Sequence, residues 1–264
     1  MKKHLLTLFL VITSLFFLSA APKNEHLKYG CPSCNGSTLY RTGYVLCHDN
    51  QKKVPLWVIY HLTKDELNGP EKRKNYKFLP DPDLPVGQRA ENSDYRKSGY
   101  DRGHMCPAAD QAYSKTTMKE CFYLSNMCPQ WPQLNRRPWK YLEDEVRVLT
   151  EKYGEAWIFV GPIFKKDSKG QYIPKEKIGY NNVWVPWGFY KIIVLKTNEK
   201  LLALAFEYKN EEETNDFYTH LVTIDEIESQ TGLDFLNALS ENEQNQLESI
   251  KLNKEEFNRI LIRK

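Results

Sequence analysis

The sequence predicts an α+β fold, and three observations carry that expectation. Several short segments are rich in β-branched and aromatic residues, one stretch has the periodicity of an amphipathic helix, and a long polar segment with several prolines interrupts them. The first strand is expected at residues 56–62, where Leu, Trp, Val, Ile, Tyr, His and Leu follow one another. Residues 63–97 contain Pro70, Pro80, Pro82 and Pro85, which exclude a regular helix or a central strand. A connection of that length is functional or disordered, and its many cations favour function. Residues 114–121 predict a short helix and 122–126 a strand. Pro138–Tyr153 is the clearest helix: Pro138 suits the first turn, Trp139, Leu142, Val146 and Leu149 share one face, and Gly154 ends it. Further strands are expected at 156–160, 182–185, 190–195 and 201–206. There is no internal repeat or low-complexity tract.

Residues 1–21 read as a secretory signal, with Lys2 and Lys3 ahead of an apolar run at 5–18 and Ser19-Ala20-Ala21 offering a cleavage site. The run is shorter than the ~20 residues that span a bilayer. The expectation is therefore a secreted or periplasmic protein without membrane attachment after signal removal, with an irregular leader at 22–39 and one domain at 40–264. The oligomeric state is left open. The formal net charge is +3, and removing Lys2 and Lys3 from the 37 Lys and Arg leaves 35 against 34 Asp and Glu. Net charge thus excludes no partner class, but its distribution is uneven. Lys72, Arg73, Lys74, Lys77, Arg89, Arg96, Lys97 and Arg102 gather ahead of residue 104, and Arg136, Arg137 and Lys140 follow, which suits a phosphate track.

The six cysteines are Cys31, Cys34, Cys47, Cys106, Cys121 and Cys128. An even count in an exported chain favours disulfides. Cys31-Pro32-Ser33-Cys34 has no second Cys pair and no strand-helix context, so it reads as structural rather than as a redox or zinc motif.

The most informative stretch is Tyr100-Asp101-Arg102-Gly103-His104, followed by Asn135 and Glu143. Cutting a phosphodiester needs a proton acceptor for the attacking water, positive charge on the phosphate oxygens and stabilisation of the leaving oxygen. His104 offers a base near neutral pH. Asn135 and Glu143 offer oxygen ligands eight residues apart, on similar sides of a helix if the helix reaches back to Asn135. Few protein oxygens and many waters is how magnesium binds, with Glu143 either a direct ligand or the holder of a metal-bound water. Taken singly, a structural histidine, a helix cap at Asn135 and a surface ion pair from Glu143 to Lys140 or Arg147 explain the same residues. Arg102 and Arg147 are candidate phosphate clamps, because a guanidinium stays charged and meets phosphate with two donors. Asp101 is placed to anchor Arg102 or orient a neighbour, and Asn126 to hydrogen-bond within the site and position His104.

The blocks YDRGHMCPAAD (100–110), FYLSNMCPQ (122–130) and LNRRPWKYLE (134–143) resemble the DNA/RNA non-specific endonucleases. WVIYHLT (57–63), SDYRKSGYDRGH (93–104), VGPIF (160–164), VPWGFYKIIV (185–194) and TIDEIESQTGLDF (223–235) extend the resemblance over about residues 40–240. The resemblance implies a ββα-metal (His-Me finger) fold with a mixed, mainly antiparallel central sheet. It also implies one Mg2+ or Mn2+ ion and hydrolysis of DNA and RNA with little sequence preference. By position, His104 matches the general base, Asn135 the direct metal ligand and Glu143 a helper of the metal's water shell. Arg102 and Arg147 match phosphate or leaving-group arginines, and Asn126 a site asparagine. A further nucleic-acid-binding cation falls at Arg73 or Lys74, and Arg136 lies beside the ligand. Arg137 and Pro138 depart from the family's glycine and small residue. Cys106 and Cys128 replace small or hydroxylic residues, each two positions after a site residue, and are expected to form a disulfide bracing the site. The alternatives are a catalytically silent nucleic-acid-binding protein, which needs no base and ligand set, and a secreted toxin nuclease.

Overall fold

The computed structural model describes residues 24–197 and 200–261. The expected signal at 1–21 lies outside them. Ser37–Tyr40 (β1), Val45–Asp49 (β2) and Val54–Thr63 (β3) open the fold, and the long polar connection that follows holds only short turns and one helical turn, Asn92–Tyr95 (α1). Asp101–His104 (β4), Lys115–Cys121 (α2), Met127–Gln130 (β5), Pro132–Arg136 (α3) and Pro138–Tyr153 (α4) come next. After Glu155–Ile163 (β6), two small hairpins pair Lys165–Lys166 (β7) with Tyr172–Ile173 (β8) and Glu176–Ile178 (β9) with Val183–Val185 (β10). Gly188–Lys196 (β11), Leu201–Lys209 (β12), Leu221–Val222 (β13), Ile224–Thr231 (α5), Glu241–Glu248 (α6) and Lys254–Leu261 (α7) complete the chain.

The main sheet has the order β1-β2-β3-β6-β11-β12-β13, and every pair in it is antiparallel. Its central strands are buried on both faces, which is why β6 and β11 read as continuous apolar runs rather than alternating ones. On β6, Ala156, Ile158 and Val160 join the core under α4, while Trp157 and Phe159 join a second core with Tyr29, Ile227 and Phe235 on the opposite face. On the α4 side of β11 lie Phe189, Ile193 and Leu195, with Lys191 between them in the same alternation.

The helix at Pro138–Tyr153 is found with the expected bounds, with Trp139, Leu142, Val146 and Leu149 buried and Gly154 at φ +90° closing it. It does not reach back to Asn135. Arg137 sits at φ −128°, ψ −97° between α3 and α4, because Pro138 disfavours a helical residue before it and has no N–H to continue the ladder.

The strand expected at 122–126 is instead a 3-10 turn at Leu124–Asn126, with β5 beginning at Met127. Its aromatic residues are held by a bridge to the polar connection: the Leu79 N–H donates to the Phe122 carbonyl at 3.1 Å and the Leu124 N–H to the Leu79 carbonyl at 2.9 Å. β2 went unanticipated, and the sheet begins at Ser37, inside the segment expected to be an irregular leader.

The disulfide expected between Cys106 and Cys128 is not formed. Cys34 pairs with Cys47 on β2, while Cys31, Cys106, Cys121 and Cys128 are free thiols. In the β4–β5 ladder Cys128 faces Gly103 and Met127 faces His104, so strand alternation turns Cys128 away from the His104 side. Cys128 packs near Tyr95 and Tyr190, whereas Cys106 lies among Asp110, Cys121 and Lys191. The structural reading of the Cys31–Cys34 segment holds for Cys34.

His48 on β2 is fully buried; its Nε2 meets the Gln88 carbonyl at 3.1 Å, and Nδ1 has no partner. Burial holds its imidazole down at about 4, against an ordinary 6.5. The folded value lies below the unfolded one, so the unfolded chain takes up the proton first, and stability is lost as pH falls from 6.5 towards 4. Urea denaturation should show the wild type losing about 2–3 kcal/mol more than His48→Gln between neutral pH and the bottom of that window. A gap between the two proteins that does not change with pH would refute this.

Candidate active site

Arg102 and His104 alternate with Asp101 and Gly103 along β4, so Arg102 and His104 point together into a cavity of about 520 Å³. Close packing favours Gly103, since a Cβ there would lie 2.6 Å from the Gln130 Cβ. Asn135, Arg136, Glu143 and Arg147 line the same cavity from α3 and α4, and Arg73 from the polar connection. Lys74 does not line it. This arrangement of a two-stranded hairpin carrying the histidine against a helix carrying oxygen donors is the ββα-metal unit.

His104 is 8% exposed, lies against the rings of Phe78 and Phe122, and leaves its Nε2 without a hydrogen-bond partner. Burial, with the Arg73 cation adding to it, lowers its imidazole to about 3. The ring is therefore neutral, the form that accepts a proton. Arg102 donates from Nη2 to the Asn92 carbonyl at 2.9 Å and lies 5.3 Å from the ring centres of Phe78 and Tyr95. These contacts fix the guanidinium, and its Nε has no partner.

Asp101 orients Asn135. Its Oδ2 accepts from Asn135 Nδ2 at 2.8 Å, and both of its oxygens accept from Arg136, at 2.8 and 2.7 Å. With the amide nitrogen committed to Asp101, the Asn135 carbonyl oxygen is left for a ligand. Glu143 makes no hydrogen bond or ion pair among the described residues, so the surface pairing with Lys140 or Arg147 is not made. Lys140 and Arg147 go instead to Asp144. Burial raises the Glu143 carboxyl to about 7, with Lys191 and Arg147 opposing the rise. Two unpartnered side-chain oxygens facing one cavity are a donor set suited to a hard divalent cation.

Asn126 stands apart from the cavity. It is fully buried, accepts from the Cys106 N–H at 2.9 Å, and donates to the carbonyls of Cys106 and Cys121 at 2.9 and 3.0 Å. Its amide clamps the turn after β4 and acts on His104 through the backbone alone.

Beneath the cavity lies a buried charge cluster that sequence reading passed over. Arg147 donates to Asp110 Oδ1 at 2.7 Å, and Tyr60 Oη donates to Asp110 Oδ2 at 2.9 Å. Lys191, 0% exposed, has no hydrogen-bond partner and lies 4.6 Å from the Trp139 ring centre. Burial pushes its ammonium pKa down, and the charges of Glu143 and Asp110 draw it back up. Trp139, Glu143 and Arg147 are spaced four apart on α4, so this one face meets Lys191 and the cavity together. The missed signal was a lone charge inside the apolar run of β11.

The hairpin, the crossing helix and the base-plus-oxygen-donor geometry define a ββα-metal nuclease. Residues 22–242 match the model of the DNA/RNA non-specific endonuclease family, and the chain belongs to that family, a metal-dependent one. It is 35% identical to human Endonuclease G, mitochondrial, covering 80% of this chain and 73% of that protein. It is 36% identical to Nuclease C1 of Cunninghamella echinulata var. echinulata, covering 83% and 90%. It spans 64% of the length of the zebrafish (Danio rerio) Nuclease EXOG, mitochondrial, at 35% identity over 80% of this chain. The crystal structure of the EndoG/EndoGI complex contains a chain that superposes with a TM-score of 0.77 at 35% identity, covering 85% of this chain and 96% of that one.

These relatives correct the expected location. The proteins from zebrafish, human and Schizosaccharomyces pombe are named as mitochondrial nucleases, which counts against the expected secreted or periplasmic setting.

Proposed function

We propose that this chain is a metal-dependent endonuclease that hydrolyses phosphodiester bonds of DNA and RNA with little sequence preference. The observation that carries the reading is the convergence on one cavity of His104, the Asn135 carbonyl oxygen left free by Asp101, and the unpartnered Glu143. Asn135 would hold a Mg2+ ion, or Mn2+ in its place, with Glu143 as the helping oxygen donor beside it. Bound there, the ion supplies neutralisation of charge at the phosphate oxygens.

The protein's own groups do the rest. His104 takes the proton from the attacking water, and its burial against two aromatic rings keeps it neutral and aimed. Arg102 holds a phosphate oxygen from a guanidinium already fixed by Asn92, and Arg147 does so from one fixed by Asp110. Arg73 adds to the burial that depresses the imidazole, and its pairing with phosphate removes that smaller contribution when substrate is bound. Arg136, buttressed by Asp101, extends the cationic rim. These contacts address phosphate rather than base edges, which accounts for low sequence preference and predicts affinity that falls with salt.

Purified protein should digest both plasmid DNA and total RNA with magnesium and neither in EDTA. Intact nucleic acid with a retained gel shift in magnesium would overturn the proposal in favour of a non-catalytic binding protein.

A further inference from the structure

Asp225, Glu228 and Glu248 each bring a carboxylate oxygen to within 4.8 Å of the others, where α5 meets the end of α6. Ile224, Ile227 and Leu247 anchor these helices in the core on the opposite sheet face from α4, so the cluster is remote from the catalytic cavity. Asp225 and Glu228, three residues apart, project from one side of α5. Glu248 is a separate peculiarity. It is only 4% exposed; Gln244, one turn earlier on α6, hydrogen-bonds the carboxylate, but its Oε1 has no partner, and an incompletely satisfied ionised carboxylate in a protein interior is costly.

No basic side chain offsets the group. Among the described residues, none of Asp225, Glu228, Asp234 and Glu248 forms an ion pair, and Lys251 lies 3.9 Å from Glu226 instead. One Glu228 oxygen accepts from the Phe235 N–H at 2.7 Å, and Asp234 accepts from Gln244 Nε2 at 2.9 Å. Those bonds orient the acids without neutralising them. Such a group is completed either by a proton or by a cation.

We propose that Asp225, Glu228 and Glu248 form a second divalent-cation site, suited to calcium, that clamps α5 to the end of α6. Calcium–oxygen bonds of about 2.3–2.6 Å let three oxygens that all lie within 4.8 Å of one another reach one shared ion. A flexible set of carboxylates completed by water favours calcium over magnesium, which demands a tighter octahedron. The ion's role is structural: it removes the penalty of the buried Glu248 carboxylate and joins the C-terminal helices to the sheet.

The test uses the full chain with Asn135→Ala, which weakens the catalytic metal site. After EDTA stripping, calorimetric titration with calcium chloride should show saturable binding, and about 1 mM calcium should raise the melting temperature by several degrees. Adding Glu248→Gln or, at the exposed rim, Asp225→Asn should abolish both effects. Asp225→Asn alone should leave magnesium-dependent nuclease activity unchanged, which separates this site from the catalytic one. Absence of calcium binding by Asn135→Ala at about 1 mM, the weak end of protein calcium sites, would overturn the proposal. So would retention of binding in the double variants. A Glu248→Gln protein that melts higher in EDTA, with a parent indifferent to calcium, would assign the buried carboxyl to a proton and refute the clamp.

Discussion

Replacing His104 with alanine is expected to lower nuclease activity by about 10²–10⁴-fold, the usual contribution of a general base, while leaving substrate and metal binding close to wild type. The expectation rests on geometry. Nε2 has no protein partner, so its removal breaks no hydrogen bond, and Asn135, Glu143 and the arginines are held by other elements. Asn135→Ala separates the two roles, because it should lower activity and weaken metal binding together. The measurements are cleavage rates on a defined duplex at saturating magnesium and metal titrations followed by calorimetry. Activity of His104→Ala within a few-fold of wild type would remove the histidine from the mechanism.

The largest effect on stability is expected at Asp110. This fully buried carboxylate receives Arg147 and Tyr60 and lies beside Lys191, which has no hydrogen-bond partner of its own. Removing it leaves Arg147 with Asp144 and Lys191 with the charge of Glu143 as their remaining compensation in a poorly solvated interior, so Asp110→Ala should cost about 3–5 kcal/mol in chemical denaturation. The loss should be partly recovered in Asp110→Ala/Lys191→Met, because the second change removes one of the stranded charges and substitutes an apolar chain of similar length. An Asp110→Ala chain destabilised by less than about 1 kcal/mol would mean that water reaches the cluster and screens it. The same variant should also impair catalysis, since Arg147 loses the partner that fixes it toward the cavity.

Much of the site was legible in the chain because its chemistry is concentrated in one short strand and one helix. Arg102 and His104 are two apart on a strand, and Glu143 and Arg147 four apart on a helix, so local geometry alone puts each pair on one side. Asn126 was misjudged for the opposite reason. Nothing local says whether a buried amide turns toward a cleft or toward backbone carbonyls, and here Cys106 and Cys121 take it. The cysteine pairing failed similarly: equal spacing from two site residues suggested proximity, but strand alternation sends Cys128 to the other side of the hairpin from His104.

By itself the sequence determined the α+β class, the bounds of the helix from Pro138 to Tyr153 and the inventory of candidate base, oxygen donors and cations. Those follow from periodicity, proline and glycine punctuation and side-chain chemistry, all of which act over a few residues. Only the tertiary structure decided that Asp101 turns the Asn135 amide, that Arg73 rather than Lys74 lines the cavity, and that Asp110, Arg147 and Lys191 share one buried pocket. These depend on atoms distant in the chain meeting within a few ångströms, where the loss of water makes a single charge or hydrogen bond decisive.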